Sequence, residues 1–428
     1  MASDEEKRAL AEAAVAAHYA QLLGIGAPWR VKRAELEVAK RKVEIEVEWD
    51  PAQAVRCPQC GQECPRHDHA PERTWRHLDV MQFTTIIRAR VPRSRCPEHG
   101  VDTVRVPWAE PGSRFTLHFE AFAVQVIEAC RSLQQAAELL QLDWDSVQRI
   151  VERAVARGLA RRDTSEVRRV GLDEKSFGKG QNYISLMTDL DERRVLEVVA
   201  GCDTPSALAL WHSLSAEQRA AVVAVAMDMS PTFAAATRAA APDAAIVHDK
   251  FHIAKHLNEA VDKVRRDEHR QLLERGDDSL SGTKYLWLQN ALPEGERQLT
   301  FDELCERNLK TARAWAYKET FAEFWDQGSA ERGAAFFKQW YSTVARSKLE
   351  PLKKVARMLQ EHLLGLLNYF AHPITNALTE GFNSRIQAIK ANARGFRRFA
   401  AYRARILFHL GKLDMLPDLP PSAASVSH

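Results

Sequence analysis

The sequence lacks any run of about 18 apolar residues, the length of a short membrane-spanning helix, so we expect no membrane span. Its start, MASDEEKRAL, is acidic and lacks the basic-then-apolar order of a secretory signal peptide. We therefore expect a cytoplasmic protein. The chain also lacks a large net charge, which is only +3 over 428 residues. Any binding to a polyanion must then come from local basic patches rather than from the field of the whole chain.

Cysteine is scarce, since the chain has only seven. Cys130, Cys202 and Cys305 stand singly among apolar residues and are interpreted as packing residues. The other four fall between positions 57 and 96. In a cytoplasmic protein such a cluster binds metal more often than it forms disulfides.

Two matching knuckles carry these clustered cysteines. CPQCG places Cys57 and Cys60 three residues apart, and CPEHG does the same for Cys96 and His99. Two ligands from each of two turns make a closed tetrahedral site for one structural zinc ion, which folds a small module and does no catalysis. Alternating residues between the knuckles predict strands, and hence a zinc-ribbon-like module. Cys64 could replace His99, and less favoured candidates are His67, His69 and His77.

The segment SLQQAAELLQLDWDSVQRIVERAV has the form of a helix-turn-helix motif. Ser132 is predicted to cap its first helix, and Asp143 or Asp145 its second. The second helix of such a motif enters the major groove of DNA, where Gln148 and Arg149 are predicted to contact bases or phosphates. An ordinary helical hairpin is the alternative interpretation.

At 428 residues the chain is too long for one ordinary domain. From Arg168 three short strands follow one another and helix and strand then alternate, which predicts an RNase H-like α/β domain. The helical, charged stretch from Arg265 to Asn368 predicts an all-α insertion into it. The predicted domains are an N-terminal helix and β element (1–50), a zinc-binding module (51–110), a helix-turn-helix domain (111–165), the first part of the RNase H-like domain (166–264), the all-helical insertion (265–368), the C-terminal helices of the RNase H-like domain (369–414) and a disordered tail (415–428).

Two acids come directly after apolar runs, Asp173 after RRVGL and Asp228 after VVAVAM. The first and fourth strands of an RNase H-like sheet are neighbours, so these acids are predicted to meet at the strand ends. Burying carboxylates is costly unless a cation neutralises them. With a third acid from a helix, they are predicted to hold two divalent ions, magnesium or manganese, for attack on a phosphodiester. Acids interpreted instead as turn or surface residues are Glu174, Asp189 and Asp191.

Glu380 is the predicted third metal ligand. It precedes a segment, Gly381 to Lys412, that has no acidic residue and eight basic ones. An isolated acid beside a cationic segment suits a metal-binding carboxylate next to the phosphates of a nucleic acid. The basic face is predicted to run from Arg385 to Arg405, with a solvated cationic helix as the alternative. The residues predicted to contact DNA are Arg385, Lys390, Arg394, Arg397 and Arg398.

Asp249 follows the fifth predicted strand, in the sequence HDKFHIAKH. It is predicted either to support the metal site from behind its ligands or to position His252. A plain cap of the following helix is the alternative. Asn383 is a further candidate for a supporting role, because it lies about one turn after Glu380 on the same predicted helix.

The order of these segments resembles that of bacterial insertion-sequence transposases of the ISL-three family, within the Asp-Asp-Glu group that has RNase H-like catalytic domains. GLDEKSFGKGQNYISLMTDL is similar to the family's first-acid segment and MDMSPTFAAA to its second. IVHDKFHIAKHLNEAVDKVRR resembles its Asp-x-Phe-His segment, and NALTEGFNSRIQAIKANARGFRRFAAYRARI its Asn-x-x-x-Glu-Gly-x-Asn block. The two knuckles are similar to its zinc-binding module. The resemblance departs at His99, where a cysteine is common, and at Lys250, where proline or arginine is frequent.

The resemblance implies a DNA transposase whose catalytic acids are Asp173, Asp228 and Glu380. It implies that the zinc and helix-turn-helix modules bind the terminal inverted repeats of the element, and that metal-dependent cleavage and strand transfer follow. The expected partners are double-stranded DNA, both ends and target, and further copies of the chain, since two ends must meet in a dimer or larger assembly. The expected location is the bacterial nucleoid. The alternatives are a non-catalytic repressor derived from a transposase, and a ribonuclease or exonuclease that would leave the N-terminal modules without a purpose.

Overall fold

The computed structural model describes residues 4–177, 183–289, 295–307, 309–396 and 398–419. The chain divides into two compact units, Met1–Arg162 with Leu413–His428, and Asp163–Lys412. No helix within the described ranges is long and apolar enough to cross a membrane.

Over residues 4–103, the first unit has one α-helix followed by nine strands in three sheets. These elements are α1 (Asp4–Leu23), β1 (Trp29–Glu37), β2 (Lys42–Trp49), β3 (Val55–Arg56), β4 (Glu63–Cys64), β5 (Arg66–His69), β6 (Arg73–Val80), β7 (Phe83–Ala89), β8 (Pro92–Cys96) and β9 (Gly100–Thr103). The largest sheet has the order β1-β2-β7-β6, with β2 parallel to β7. The predicted β element pairs as expected, but it shares this sheet with strands from the region assigned to the zinc-binding module.

The core of this sheet is built on four tryptophans packed edge to face. The ring centroids of Trp29 and Trp49 lie 5.1 Å apart, and those of Trp29 and Trp108 lie 4.9 Å apart. Trp75 completes the series at 5.5 Å from Trp108. Edge-to-face contacts add to the stability that burial of these large rings provides. Along β2, apolar residues are buried and the alternating charged ones are half-buried, which is the period-two pattern that the sequence shows.

Three helices follow in the same unit, α2 (Leu117–Ala129), α3 (Leu133–Leu140) and α4 (Trp144–Arg161). Ser132 caps α3 by accepting a hydrogen bond from the backbone N–H of Gln135. Asp143 caps α4 by accepting from the N–H of Ser146, so Asp143 rather than Asp145 is the capping residue. The predicted helix-turn-helix is therefore confirmed.

A histidine on β6 contacts the start of α2. The Thr116 hydroxyl caps α2 by accepting from the N–H of Phe119, and His77 Nδ1 lies 2.8 Å from the same hydroxyl. Burial, with smaller contributions from the charges of His118 and Arg76, lowers the pKa of His77 to about 4. The ring is thus held neutral, and only a neutral imidazole can accept the threonine proton.

The segment after Lys412 packs on α4. Met415 is only 4% exposed, and Arg161 donates a hydrogen bond of 2.6 Å to the carbonyl of Leu416. Gly158 makes room for this segment, since a Cβ there would lie 2.6 Å from the Cβ of Leu413. The disordered tail was predicted to begin at residue 415, but the Met415 side chain is buried and the carbonyls of Met415 and Leu416 accept hydrogen bonds from Arg157 and Arg161 of α4. The remainder of the predicted tail lies outside the described residues.

The second unit begins with a five-stranded sheet flanked by helices. Its elements are β10 (Arg169–Ser176), β11 (Tyr183–Asp189), β12 (Arg194–Ala200), α5 (Thr204–His212), α6 (Ala216–Ala221), β13 (Ala224–Met227), α7 (Pro231–Ala240) and β14 (Ala245–His248). The strand order is β12-β11-β10-β13-β14, with β13 parallel to both β10 and β14 and the other pairs antiparallel. This is the predicted RNase H-like order, in which the first and fourth strands of the domain are neighbours.

Helices make up the rest of this unit. They are α8 (Lys250–Leu273), α9 (Lys284–Leu288), α10 (Glu296–Glu306), α11 (Lys310–Ala322), α12 (Ala330–Arg346), α13 (Glu350–Glu361), α14 (Leu363–Ala371), α15 (Ala377–Asn392) and α16 (Phe399–Leu410). Those from α8 to α14 enclose a separate apolar core that contains Trp287, Phe321 and Trp340. The all-α region therefore has its own core between the last strand and α15.

Gly158→Ala should destabilise the first unit by about 1–3 kcal/mol, because the added methyl group overpacks the contact with Leu413. The free energy of unfolding in denaturant measures this. Gly26→Ala is the matched control, since nothing lies within 4 Å of a Cβ at that position. Equal stability of the two variants would show that the segment after Lys412 does not pack on α4.

The stability of the first unit should fall as the pH is lowered from about 6.5 to about 4. The pKa of His77 in the folded state lies below the ordinary value of 6.5. The stability that depends on the neutral, buried ring is therefore fully present above pH 6.5. It is lost at lower pH, because the unfolded chain takes up a proton that the folded chain does not. At pH 4 the free energy of unfolding should be about 3 kcal/mol lower than above pH 6.5. The free energy of unfolding, measured in denaturant across this pH range, should change less with pH for His77→Gln than for the control His69→Gln, whose ring is exposed.

Candidate active site and zinc centre

Three aspartates reach the same level across three adjacent strands, Asp173 within β10 and the other two directly after β13 and β14. Gly171 of β10 pairs with Ala226 of β13, so Asp173 and Asp228, each two residues further on, fall level with each other. His248 of β14 pairs with Met227, so Asp249 follows level with Asp228. The sequence predicted the first of these two juxtapositions. It missed that Asp173 lies inside β10, which continues to Ser176 because β11 pairs along its full length.

Asp173 is 7% exposed, and each of its carboxylate oxygens accepts a hydrogen bond. Its Oδ1 accepts from the N–H of Glu174 at 2.8 Å, and its Oδ2 accepts from Asn383 Nδ2 at 2.6 Å. Burial raises the pKa of Asp173, and the charge of Asp228 adds to the rise. A raised pKa means that the ionised form is disfavoured in the absence of a cation, which is the environment of a metal-binding carboxylate.

Glu380 lies in the first turn of α15, beside Asp249 and His252. One ligand atom from each of these three residues lies within 4.8 Å of the others, and this close set includes neither Asp173 nor Asp228. Burial raises the pKa of Glu380, and the charges of Asp249 and Asp173 raise it further. The predicted third acid therefore lies near the first, and it is grouped most closely with the Asp-x-Phe-His segment.

The start of α15 is attached to the sheet by polar contacts. Asn376 is completely buried, its N–H donates to Asp249 Oδ1 at 3.2 Å, and its Nδ2 donates to the carbonyl of Leu172 at 3.1 Å. The hydroxyls of Thr379 and Thr188 lie 2.9 Å apart. Gly171 permits this approach, because a Cβ there would lie 2.6–2.7 Å from these two hydroxyls and the Asn376 amide. Sequence reasoning missed Asn376 as a functional residue, although its place one turn before Glu380 was a usable signal.

Asp249 is 1% exposed and does not act as a plain helix cap. It precedes α8, yet its side chain makes no capping hydrogen bond with the described residues of that helix. Its Oδ2 instead lies 3.2 Å from His252 Nδ1, while Oδ1 accepts from Asn376. The hydrogen bond with Asp249 raises the pKa of His252. The geometry thus favours the prediction that Asp249 positions His252.

The rival acids fit the surface and turn roles given to them. Asp189 pairs with Arg194 at 3.1 Å and accepts hydrogen bonds from the following turn. Asp191 accepts from Arg169 Nε at 2.7 Å. Glu174 is exposed on β10, and partial burial of its carboxyl group, together with the charges of Asp228 and Asp173, raises its pKa, so this surface acid lies close to the site.

The zinc ligands of the first unit are brought together as predicted. One ligand atom from each of Cys57, Cys60, Cys96 and His99 lies within 4.8 Å of the others. His99 Nδ1 lies 3.5 Å from the Cys96 sulfur and 3.8 Å from the Cys57 sulfur, distances that suit four donors around one ion. The cluster is a structural zinc site of the Cys3His type.

The alternative ligands lie outside this set of four. Cys64 is buried beside it, but its sulfur donates to the carbonyl of Gln62 at 3.3 Å. His67 Nδ1 lies 2.9 Å from an Arg95 nitrogen, and His77 contacts Thr116. His69 is exposed on β5. The four residues selected by the knuckle spacing are therefore the ones whose ligand atoms lie together.

The helix-turn-helix contains one correction. Gln148 is only 3% exposed and its Nε2 donates to Glu152, so the expectation that it contacts DNA is wrong in this conformation. The buried face of α4 is wide and takes in Gln148 beside Val147 and Val151. Arg149 is exposed, as its predicted role requires.

The basic face is shorter than predicted. Arg385, Arg394 and Arg398 are exposed and Lys390 is half-buried, whereas Arg397 lies outside the described residues. Arg403 forms a bidentate pair with Glu197, and Arg405 is buried, which lowers its pKa to about 10. The last two therefore do not belong to the DNA-contacting face, because α16 turns them inwards.

Known proteins resemble this arrangement over most of the chain. A transposase domain family of the ISL3 group matches residues 170–406, which is more than half of the chain. The chain belongs to the ISL3 transposase family. Two further domains of the family match, the zinc finger of the transposases of IS204, IS1001, IS1096 and IS1165 over residues 53–99, and the ISL3 helix-turn-helix over residues 104–155. Together these domains imply that the transposase binds DNA.

Individual relatives extend over nearly the full length. The transposase for insertion sequence element IS1001 of Bordetella parapertussis is 26% identical over 353 residues, covering 81% of this chain and 86% of the relative. The transposases for IS1557 of two Mycobacterium tuberculosis strains, CDC 1551 and H37Rv, are each 28% identical to this chain over 411 residues. The match covers 86% of this chain and 92% of each relative.

Zinc analysis of purified variants should separate Cys64 from the ligand set. Cys57→Ser should lose zinc, because a closed site needs all four donors, whereas Cys64→Ser should keep about one ion per chain. Metal content by mass spectrometry is the measurement. Loss of zinc from Cys64→Ser in a folded protein would replace His99 by Cys64 in the assignment.

Proposed function

We propose that this transposase binds the terminal inverted repeats of its insertion sequence and catalyses metal-dependent cleavage and transfer of DNA strands. The catalytic acids are Asp173, Asp228 and Glu380. The observation that carries the proposal is that Asp173 and Asp228 fall level on neighbouring strands, while Glu380 of α15 lies close enough to Asp173 for that charge to help raise the pKa of Glu380. Family membership supports the same activity.

The donor set suits magnesium or manganese. Carboxylate oxygens are hard ligands, and Asn383 adds a buried amide oxygen that has no hydrogen-bond partner in the described part of the chain. Asp173, Asp228 and Glu380 would hold two ions. When bound, the ions would activate the attacking oxygen and stabilise the leaving one. Asn383 keeps Asp173 in place through its 2.6 Å hydrogen bond, and Asn376 does the same for the helix that carries Glu380.

Recognition of DNA is assigned to other parts of the chain. The exposed face of α4, with Arg149, would enter the major groove, and the zinc module would support this binding at the element ends. Arg385, Arg394 and Arg398 would contact phosphates without reading sequence. Because two ends are joined in one reaction, a dimer or larger assembly forms on DNA. A non-catalytic repressor is disfavoured, since it would have no use for the three acids.

Cleavage of a duplex that carries the inverted repeats tests the proposal. With magnesium, the parent should cut at the element end, and Asp173→Asn should cut more than about 100-fold more slowly because a metal-holding oxygen is lost. Asp191→Asn is the control, as its carboxylate pairs with Arg169 at the surface. Equal cutting by the parent and Asp173→Asn would remove the assigned triad. Binding without cutting by the parent would favour the repressor.

A further inference from the structure

Two residues of the Asp-x-Phe-His segment, Asp249 and His252, lie as close to Glu380 as the ligands of one metal ion would. Asp249 at the end of β14, His252 in the first turn of α8 and Glu380 on α15 bring ligand atoms within 4.8 Å of one another. Asp249 and His252 belong to the start of α8, and Glu380 belongs to α15, which is distant in sequence. We propose that they form a mixed nitrogen–oxygen metal site, in which His252 is a direct ligand of one of the two divalent ions. The inference rests on the proposed function and deepens it.

The contacts of Asp249 orient the imidazole. Its Oδ1 is held by the N–H of Asn376, and its Oδ2 lies 3.2 Å from His252 Nδ1. A carboxylate that accepts from one ring nitrogen fixes the ring and leaves the other nitrogen as the ligand atom, which is how metal-binding histidines are commonly oriented. The Nε2 of His252 has no hydrogen bond to any residue that the structure describes, and the ring is half-buried beside Glu380.

A second feature points to a bound cation at this place. Asn383 is 8% exposed, its Nδ2 is used by Asp173, and its Oδ1 has no partner within the described ranges. An unpaired buried amide oxygen is costly, and a cation or its bound water would satisfy it. The carboxyl groups of Asp173, Asp249 and Glu380 also lie close enough to influence one another, and a cation would offset this concentration of negative charge.

The chemistry of the donors predicts the kind of metal. Oxygen ligands alone favour magnesium, whereas an imidazole nitrogen raises the affinity for manganese and later first-row ions. The site should therefore bind manganese more tightly than magnesium, and His252 should account for the difference.

Electron spin-echo measurement of nitrogen coupling to bound manganese tests this directly. The sample is the full-length, zinc-loaded protein with a duplex of the element end. The parent should show coupling to one imidazole nitrogen, and His252→Ala should lose it and bind manganese about 10–100-fold more weakly. His256→Ala is the matched control, one turn further along α8 and bonded only loosely to Glu259 at 3.8 Å. It should keep both properties.

Other outcomes overturn the inference. Manganese that binds the parent without nitrogen coupling, or with coupling unchanged in His252→Ala, would leave the proposed function intact and remove His252 from the ligands. A parent that neither binds manganese nor cuts DNA would overturn the proposed function as well. His252→Gln serves as a second variant should the alanine protein fail to fold.

Discussion

The concentration of negative charge at one edge of a sheet is the constraint on which the second unit depends. Backbone pairing fixes Asp173, Asp228 and Asp249 at the same level on neighbouring strands, so they cannot separate without breaking the sheet. Like charges at this spacing are tolerated only with hydrogen-bond donors, a histidine or a metal ion nearby. Asn383, Asn376 and His252 supply the protein's share of that compensation.

The helical region between β14 and α15 controls how Glu380 meets these acids. Its core includes Ile253 and Leu257, directly after His252, and Leu366, shortly before α15. Asn368 also donates to the carbonyl of Ile246 on β14 at 2.8 Å. A long segment therefore begins and ends at the same edge of the sheet. The packing of this core therefore fixes the distance between His252 and Glu380.

Much of the site could be predicted from sequence, because strand order and ligand spacing are local signals. Apolar runs ending in Asp173 and Asp228 predicted their meeting, and the two knuckles predicted the zinc ligands. Burial on a particular helix face was harder to predict. Gln148 was wrongly placed on the DNA side because the buried face of α4 is wider than its apolar residues indicate. Arg405 was misjudged likewise, because a basic residue ordinarily lies at the surface.

Contacts between residues distant in the chain could not be predicted in this way. Nothing in the order of residues shows that β2 pairs in parallel with β7, or that Asn376 bonds to Asp249 across the whole insertion. These contacts depend on the three-dimensional meeting of elements that are individually recognisable.

The segment that follows Lys412 gives the molecule an unusual connectivity. The chain leaves the first unit after Arg162 and rejoins it at Leu413. The second unit, with its RNase H-like sheet, is therefore an insertion in the sequence of the first unit, which carries the helix-turn-helix. A fragment cut at residue 162 would lack residues 413–415, which pack against Gly158. A fragment made to study DNA recognition by the first unit alone therefore needs the segment from Leu413 onwards. A short linker can join this segment to Arg162 in place of the second unit.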